Sequence, residues 1–489
     1  MSFLIELDPA EPGPIYLRIA DRLRAIMAAG GLAAGARLPS SRALASQLGV
    51  ARNTVDAAFA LLAGEGAIET RRGGGTVVSA ALTARVAAPS QRAMALGGSR
   101  PDPVAPLAFR MGLPGLDAFP RKTWSGLAVK AARAMGATDM AYPDPAGFRG
   151  LREAIAAYLG VSRGIGCTAG QVLITAGFQG ALSLVQRVLL RPADPVWVED
   201  PGYLLARQAL DVGGASLVPV PVDAEGMRVK AGVTAAPRAK LAMVTPTHQS
   251  PLGVALSLPR RLALLAWAAD AGAWVLEDDY DSEFRYTGRP LPALKSLDQA
   301  GRVLFAGSFS KVLFPGLRLG YLVVPGTLSE ALLRASRLAS GGPPMLEQRV
   351  AAAFMEQGHF ARHLRRMRVL YAGRRRALAA ALTSRFGDRV SVELTAGGMH
   401  LLARFPGAAD DSVLARRALA VGLAPTALSG LSMAHGAGQG LLIGFTNVAE
   451  DDAAALVARL AGVVDPGVDL PGVSPLGPQG GGATGSAGA

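Results

Sequence analysis

The chain has 489 residues, of which 50% are hydrophobic and 18% are charged, so it can bury more than one large core and is not a single small domain. Its 50 basic and 37 acidic residues give a net charge of +13, which favours polyanionic partners such as nucleic acid or phosphorylated ligands. One cysteine, no basic leader before an apolar run, and no apolar stretch of the roughly 20 residues that a bilayer requires predict a cytosolic protein without disulfides or membrane spans.

The N-terminal part of the chain predicts a small helical domain that ends in a hairpin. Apolar side chains recur at helical spacing over residues 15–29, where two glycines end the pattern. Ser40 or Ser41 can cap a short second helix, and Gly49 stands where a left-handed residue would end it. A third helix follows, and residues 67–78 then form two β-prone runs around a glycine-rich turn. Three helices and a hairpin predict a winged helix-turn-helix.

The starts of the second and third helices and the glycine-rich turn carry the candidate DNA contacts. Arg42 lies at the start of the second helix, Arg52 at the start of the third and Arg72 in the wing, so all three can face one groove and its phosphates. Scattered arginines alone also fit a solvated basic face, but the complete motif favours DNA binding. The predicted DNA-binding residues are Ser41, Arg42, Arg52, Asn53, Thr54, Arg72 and Gly74.

Residues 14–78 resemble the winged helix-turn-helix of GntR-type regulators along their whole length. The distinctive strings are RLPSSRALA at 37–45, ARNTV at 51–55 and the wing GGGT at 73–76. One departure is Ala51, where family members often have a serine that caps the recognition helix. Because alanine cannot cap, we expect this helix to lack about 1 kcal/mol of stabilisation.

Composition divides the rest of the chain into three parts. Residues 81–106 follow the predicted DNA-binding domain of residues 1–80, are rich in Ala, Pro, Gly and Ser, and predict a linker. Over residues 107–464, short β-prone runs (VLIT, VWVED, LAMVTPT, WVLEDDY, VLFAGS and YLVVP) alternate with helical stretches. This alternation predicts an α/β domain with a mostly parallel sheet. Residues 465–489 are low in complexity and predict a disordered tail.

The string AGSFSKVLFPGLRLGY, at residues 306–321, carries the strongest chemical signal. Lys311 follows Ser308 and Ser310 at the end of an apolar run, and Arg318 lies seven residues further on. A lysine that forms an imine needs a sheltered position, and a phosphorylated aldehyde needs a fixed cation and hydroxyls for its phosphate. A lone lysine is usually a solvated surface residue, but none of the other five lysines has such neighbours.

Two further strand ends carry candidate contacts to the same group. WVLEDDYDSEFRY, at residues 274–286, ends an apolar strand in carboxylates. A buried Asp278 could keep a pyridine nitrogen protonated there, and Tyr280 could donate to a phenolic oxygen. The acidic cluster alone fits metal binding or a solvated turn equally well. Residues 177–179 stand at a strand-to-helix junction, where backbone amides and the helix dipole can hold a phosphate.

Together these segments resemble fold type I pyridoxal 5′-phosphate (PLP) enzymes of the aspartate aminotransferase class, over residues 107–464. The resemblance implies that Lys311 forms a Schiff base with PLP, that Asp278 pairs with the pyridine nitrogen and that Tyr280 contacts the phenolic oxygen. It also implies that Tyr203 stacks on the ring, and that Tyr142 reaches the phosphate in a neighbouring subunit of a homodimer. The phosphate is assigned to Ser308, Ser310, Arg318 and the backbone around Gly177, Phe178 and Gln179.

Two positions depart from the aminotransferase pattern. Ser250, in HQSPLG, replaces the asparagine of an HNPTG-like segment, so we expect His248 and Gln249 to assist at the phenolic oxygen. Leu442, in LLIGF, stands where these enzymes have an arginine that binds the substrate α-carboxylate. The missing arginine argues against efficient transamination of amino acids.

A GntR-type reader fused to an aminotransferase-like domain is the arrangement of the MocR/GabR subfamily of bacterial regulators. The resemblance implies a PLP-dependent transcription factor that binds operator DNA and senses an amine, an amino acid or PLP through its enzyme fold. Two alternatives stay open. One is an active aminotransferase with an accessory DNA-binding domain, and the other is a regulator that has lost the cofactor and keeps the fold for dimerisation.

The other histidines and the cysteine predict no further chemistry. His359 and His363 lie four residues apart, but no glutamate follows the first as in metalloprotease helices, so we expect two histidines on a helix surface and no metal site. Cys167 precedes a predicted strand and is expected to be a small buried residue rather than a nucleophile.

Overall fold

The computed structural model describes residues 13–71, 75–79 and 106–465. The chain divides into two compact units, residues 1–104 and 105–489, and each is described by itself. The predicted linker and the predicted tail lie almost entirely outside the described residues.

The first unit has the three helices and the hairpin that the sequence predicts. Helices α1 (Ile15–Ala28), α2 (Ser41–Leu48) and α3 (Arg52–Gly64) precede the antiparallel strands β1 (Ile68–Arg71) and β2 (Gly75–Val78). The Ser40 hydroxyl caps α2 by accepting a hydrogen bond from Ala43 N at 3.2 Å, and Gly49 ends the helix at φ 65°. Ala51 offers α3 no side-chain cap, as predicted. The core of this unit includes Ile19, Leu23, Leu44, Val55, Ala58 and Leu62.

An eight-stranded sheet forms the centre of the second unit. Its strands are β3 (Val172–Thr175), β4 (Pro195–Asp200), β5 (Ser216–Asp223), β6 (Gly226–Met227), β7 (Leu241–Val244), β8 (Trp274–Asp279), β9 (Val303–Ser308) and β10 (Gly320–Val323). They are ordered β3-β10-β9-β8-β7-β4-β5-β6. In the run β9-β8-β7-β4-β5 all neighbouring strands are parallel. Strand β10 is antiparallel to β3 and to β9, and β6 is antiparallel to β5. The mostly parallel sheet is confirmed, and β5 and β6 are strands that the sequence analysis missed.

The antiparallel strand β10 follows from the length of its connection. Residues 309–319 alone join β9 to β10. A parallel crossover needs a dozen or more residues, usually including a full helix, so this short segment can only turn the chain back along its neighbour. The reversal keeps residues 308–318 at the edge where β9 ends.

Helices surround this sheet, and a second, smaller sheet follows it. The helices are α4 (Arg121–Arg133), α5 (Ala137–Met140), α6 (Arg149–Arg163), α7 (Gly177–Leu189), α8 (Leu204–Val212), α9 (Val229–Ala235), α10 (Leu258–Asp270), α11 (Phe309–Val312), α12 (Ser329–Ser340), α13 (Met345–Glu356), α14 (His359–Phe386), α15 (Asp411–Ala420) and α16 (Ala453–Val464). The second sheet is antiparallel and contains β11 (Ser391–Glu393), β12 (His400–Arg404), β13 (Thr426–Ala427) and β14 (Leu441–Gly444) in the order β11-β12-β14-β13.

Alternate residues of the central strands fill two different cores. Val196 and Val198 of β4 pack with residues of α7 and α8, whereas Trp197 between them packs with residues of α9 and α10. In the same way Leu276 and Val275 of β8 lie in opposite cores. Because both faces of the sheet are buried, its strands read as continuous hydrophobic runs. Polar side chains concentrate where these strands end, which is where the sequence analysis places the chemistry.

A short segment before the large sheet bridges to the second sheet and to residue 423. Phe109 forms an antiparallel bridge with Gly444, whose N–H donates to the Phe109 carbonyl at 2.9 Å. Ala424 N donates to the Ala108 carbonyl at 2.9 Å. These bonds fix the backbone of residues 108–110 beside the end of β14.

Two negative findings apply to the described residues. None of their helices combines the length and the apolar character that a bilayer span needs. No group of three or more His, Cys, Asp or Glu side chains within them is arranged to hold a metal ion.

Candidate functional site

A cavity of about 650 Å³ opens at the carboxyl edge of the large sheet. Strands β3, β4, β7, β8 and β9 end at this edge, which is where open α/β sheets bind their ligands. The cavity is lined by the predicted cofactor residues Phe178, Gln179, Tyr203, Asp278, Tyr280, Ser308, Ser310, Lys311 and Arg318. The fold therefore brings together side chains that the sequence analysis selected from four separate strand ends.

Lys311 lies on the short helix α11, directly after β9. The Ser308 hydroxyl accepts a hydrogen bond from Ser310 N at 3.1 Å and so starts this helix. Lys311 Nζ donates to the Gly112 carbonyl at 2.6 Å. Burial lowers the pKa of Lys311, although Asp281 and Asp278 act in the opposite direction. A lowered pKa increases the fraction of free amine, which is the form that attacks a carbonyl carbon.

The carboxylates at the end of β8 divide into structural groups and one free group. Glu277 accepts hydrogen bonds from Leu294 N and Lys295 N at 2.8 Å, and Asp279 lies 2.8 Å from Arg163 Nε in a buried ion pair. Asp278 is 5% exposed, and its Oδ1 has no hydrogen-bond partner among the described residues.

The unpartnered oxygen of Asp278 fits a bound cofactor. Burial and the neighbouring Asp279 raise the pKa of Asp278 well above its usual range. An unpartnered buried carboxyl group is costly, so this oxygen is suited to a ligand that brings a proton donor into the cavity. A pyridine N–H is such a donor, and Asp278 faces the same cavity as Lys311.

The imidazole of His248 contacts the Tyr280 hydroxyl. The His248 Nδ1 lies 3.0 Å from the Tyr280 hydroxyl and 3.1 Å from Asp281 Oδ2. Burial raises the pKa of Tyr280 well above its usual range, so the phenol stays protonated and can donate. Ser250 lines the cavity, as expected for the residue that replaces asparagine.

Gln249 does not assist at this position, and that prediction is wrong. Its side-chain Nε2 donates to the carbonyls of Pro201 at 2.9 Å and Ser250 at 2.8 Å, and its Oε1 accepts from Leu252 N at 3.0 Å. The residue is 1% exposed. Its amide therefore stabilises the loop and is not free for a ligand.

The part of the cavity that Arg318 lines is suited to a phosphate. Gly177 begins α7 at φ 71°, and a Cβ there would lie 3.4 Å from Arg318 Nη2. Arg318 donates to the Ala176 carbonyl at 3.2 Å, which holds its guanidinium over the start of this helix. Backbone amides at a helix N-terminus, a fixed guanidinium and the hydroxyls of Ser308 and Ser310 form an anion site of the kind that phosphates occupy.

Tyr203 and Phe178 form an aromatic wall of the cavity. Their ring centroids lie 6.0 Å apart, and Tyr203 directly precedes α8. Burial raises the pKa of Tyr203, so its hydroxyl is neutral at physiological pH.

Two positions singled out by the sequence lie away from the cavity lining. The Tyr142 side chain is 97% exposed and does not line the cavity of its own chain. Leu442 is fully buried on β14 in a small apolar cluster with Leu402, Leu428 and Leu431. Position 442 therefore carries no cation, whereas aminotransferases have an arginine there.

The structure adds cavity residues that the sequence analysis missed. They are Arg110, Met111, Gly112, Met399, His400 and Arg416, among others. Gly112 and Lys311 are 199 positions apart, and no periodic pattern marks the segment that contains Gly112. Only an alignment of related sequences could have found this pair from sequence.

In the first unit, the predicted DNA contacts meet at the starts of α2 and α3. Arg52 Nε lies 3.4 Å from the Ser41 hydroxyl and 3.4 Å from Asp56 Oδ2. Arg42 and Asn53 are exposed, and Thr54 is half-buried. Arg72 and Gly74 lie outside the described residues. The arrangement presents hydrogen-bonding side chains on one exposed side of two helix starts, as major-groove recognition requires.

The predictions for His363 and Cys167 need correction. His363 is 7% exposed, and its Nε2 lies 3.0 Å from the Val312 carbonyl. It is therefore a core histidine that packs against aromatic rings, and burial lowers its pKa. Helical spacing alone did not show that this side of α14 faces the core. Cys167 is half-buried rather than fully buried, and burial raises the pKa of its thiol.

Two family models match the chain. Residues 15–78 match bacterial regulatory proteins of the gntR family, and residues 122–425 match aminotransferase class I and II.

Known proteins resemble the chain over most of its length. It is 38% identical over 458 residues to the "Probable rhizopine catabolism regulatory protein MocR" of Rhizobium meliloti, with 91% of this chain and 92% of the relative covered. It is 34% identical over 472 residues to the "HTH-type pyridoxine biosynthesis transcriptional regulator PdxR" of Corynebacterium glutamicum, with 95% and 99% covered. The structure of Pyrococcus horikoshii kynurenine aminotransferase in complex with PMP matches 74% of this chain and 92% of that chain, at 30% identity and a TM-score of 0.67.

Proposed function

This chain belongs to the MocR-type subfamily of GntR-family transcriptional regulators, and on that premise we propose that its aminotransferase-like domain is a ligand sensor. The protein is a DNA-binding regulator, and its relationship to PLP enzymes implies pyridoxal phosphate as the cofactor. The sensed ligand is an amine, an amino acid or PLP itself. Its presence changes the affinity of the DNA-binding domain for the operator.

The described residues would hold the cofactor by its four functional groups. When bound, PLP supplies an aldehyde that combines with primary amines. Lys311 Nζ would bind this aldehyde, and the Asp278 carboxylate would accept a hydrogen bond from the pyridine N–H. Tyr280 would donate to the phenolic oxygen, while Arg318, Ser308, Ser310 and the start of α7 would bind the phosphate.

The observation that carries the proposal is a complete cofactor set without the substrate arginine. Lys311, Asp278 and Arg318 line one cavity, whereas Leu442 is fully buried in the position expected for that arginine. The cavity can therefore bind the cofactor and exchange amines, but it lacks the usual anchor for turnover. Exchange without turnover is the property of a sensor.

We further propose a cytoplasmic homodimer that spans two operator half-sites. The support for a dimer is Tyr142, whose side chain is 97% exposed in its own chain and which the aminotransferase resemblance assigns to a neighbouring subunit's phosphate. Two-fold protein symmetry would match a palindromic operator through paired winged helix-turn-helix domains.

A second candidate function is that of an active aminotransferase with an accessory DNA-binding domain. It is favoured by the complete set of cofactor residues and by the likeness to kynurenine aminotransferase. It is disfavoured by Leu442.

One experiment separates the two functions. Cofactor-free and PLP-loaded protein are titrated with operator DNA, with and without a panel of amines and amino acids, and keto-acid formation is assayed in parallel. The sensor function predicts that PLP or a panel member changes operator affinity while keto acid stays at background. Steady turnover with unchanged operator affinity would establish the enzyme instead.

A further inference from the structure

We propose that Arg110 binds the carboxylate of the ligand that this cavity senses, so that the effector is an amino acid with an apolar side chain rather than a simple amine. The inference rests on the proposed sensor function and names the ligand class of the same site. It assigns a role to a cavity residue for which the sequence analysis gave none.

The Arg110 side chain is half-buried, lines the cavity and has unused hydrogen-bonding capacity. Its Nε is buried and has no hydrogen-bond partner among the described residues. Within the same part of the chain its guanidinium forms no ion pair. A buried donor without a partner is costly, and a carboxylate can satisfy a guanidinium with two parallel N–H···O bonds. The side chain is therefore suited to a ligand carboxylate.

The backbone places Arg110 beside the strand that lacks the expected arginine. Phe109 forms an isolated antiparallel bridge with Gly444 at the end of β14, and the chain turns at Met111 and Gly112. Met111 packs against the apolar cluster that contains Leu442, so this turn lies beside that position. A Cβ at residue 444 would clash with the Arg110 carbonyl oxygen, so Gly444 permits the close approach. Arg110 therefore enters the cavity from the segment beside β14, from a different backbone position than the substrate arginine of aminotransferases.

Charge balance leaves Arg110 without another assignment. The cations that line the cavity are Arg110, Lys311, Arg318 and Arg416, and the acidic lining residue among those described is Asp278. Arg318 and Lys311 face the expected phosphate and aldehyde, and Arg416 is exposed on α15. Arg110 lies two residues before Gly112, whose carbonyl accepts the hydrogen bond from Lys311 Nζ. We therefore assign the carboxylate of an amino-acid ligand to Arg110 and its amine to the aldehyde that Lys311 would bind in the same cavity.

The mouth of the cavity selects for an apolar side chain. Leu204, Leu205 and Leu419 line it and are 36%, 54% and 54% exposed. Covering exposed leucines with an apolar group removes apolar surface from water and so favours binding. An aliphatic amino acid would place its side chain against these leucines while its carboxylate reaches Arg110.

The test compares three ligands that differ by one group each. L-leucine, 3-methylbutylamine, which lacks the carboxylate, and 4-methylpentanoate, which lacks the amine, are titrated into PLP-loaded full-length protein by calorimetry and visible absorption. We expect leucine to bind roughly 10- to 100-fold more tightly than the amine. Arg110→Met should remove most of this ratio and abolish binding of 4-methylpentanoate, while the affinity for the amine changes little. Arg110→Lys should give an intermediate ratio, because lysine keeps the charge but not the fork.

Arg416→Gln is the matched control, since it removes the other unassigned cation of the cavity. It should leave the leucine-to-amine ratio unchanged, and retained cofactor and thermal unfolding midpoints verify that each variant is folded. The inference is overturned if leucine binds no more tightly than the amine, if Arg110→Met weakens both equally, or if Arg416→Gln causes the loss. If amines still change operator affinity in those cases, the sensor function stands and only the role of Arg110 fails.

Discussion

Lys311 Nζ donates a hydrogen bond to the Gly112 carbonyl at 2.6 Å, across 199 positions of the chain. The contact fixes the amine at the carboxyl edge of the large sheet, within the cavity that also holds Asp278. It also brings the segment that contains Gly112 to the candidate cofactor site. Residues on both sides of this contact can therefore be tested by their effect on cofactor binding.

Gly112→Ala should weaken covalent retention of PLP. Gly112 has φ 74°, and a Cβ there would lie 2.5 Å from Lys311 Nζ, so the variant must shift either the backbone or the amine. We expect faster loss of visible absorption on dialysis than in the wild type. Gly326→Ala is the control, because its Cβ would meet open space in an ordinary backbone conformation. Equal retention by both variants would show that Gly112 does not position the amine.

Borohydride reduction of the PLP-loaded protein should fix the cofactor on Lys311. Burial lowers the pKa of this amine, and its cavity contains the candidate phosphate and pyridine contacts. Peptide mapping by mass spectrometry should locate the label on Lys311, and Lys311→Ala should remove both the label and the yellow colour. Label on any of the other five lysines would contradict the site assignment.

Arg42 and Arg52 should dominate operator affinity. Both belong to the starts of α2 and α3, where Ser41 and Asn53 add hydrogen-bonding groups. Arg52→Ala should cost roughly 1 to 3 kcal/mol if it reads a base edge, with relaxed specificity at one position. Loss of a phosphate contact should instead weaken all sequences and reduce the salt dependence. Fluorescence anisotropy at several salt concentrations separates the two cases.

The control for this pair is Arg22→Ala, which changes an exposed arginine on α1 rather than one at the start of α2 or α3. It should leave operator affinity within about twofold of the wild type. Unchanged affinity in an Arg42→Ala, Arg52→Ala double variant would exclude the proposed docking surface.

His400 should make the second unit less stable in acid. Burial lowers the pKa of His400 to about 4, and its Nε2 lies 2.8 Å from the Pro251 carbonyl. As pH falls from about 6.5 to 4, the unfolded chain binds this proton before the folded chain does, so the free energy of unfolding decreases. His400→Gln keeps a donor for Pro251 and does not titrate. Over this pH interval the free energy of unfolding of the wild type should therefore fall by about 3 kcal/mol more than that of the variant.

Urea unfolding followed by tryptophan fluorescence measures this difference, because all 4 tryptophans lie in the second unit. If the free energies of unfolding of the wild type and the variant change with pH in parallel, His400 has the same pKa in the folded and the unfolded chain, and the prediction is wrong. Comparing the two proteins removes the contribution of the buried glutamates, which titrate in the same range.

The candidate site residues that could be predicted from the sequence are those that follow directly on a hydrophobic strand. Hydrophobic strands that end in Asp278 or before Lys311 can be read directly, and parallel strands bring their carboxyl ends to one edge. The direction of a side chain within a loop cannot be read this way. Gln249 was expected to assist at the cofactor and instead donates to two backbone carbonyls. His363 was expected on a surface and instead contacts the Val312 carbonyl in the core.

Long-range partners were the second kind of failure. Arg110 and Gly112 reach the cavity because Phe109 bridges Gly444 at the end of β14, a pairing that joins distant parts of the chain. The antiparallel strand β10 depends on the length of its connection rather than on its composition. Periodicity and composition carry no information about either feature.

The most direct test of the central claim is reciprocal linkage between ligand and operator. The affinity of PLP-loaded protein for operator DNA is measured with and without a saturating effector from the panel, and effector affinity is then measured with and without operator. The account predicts the same factor in both directions, of the order of 5- to 150-fold for a coupling of about 1 to 3 kcal/mol. Equal operator affinity in all ligand states, together with transamination at about 1 to 1,000 per second, would contradict it.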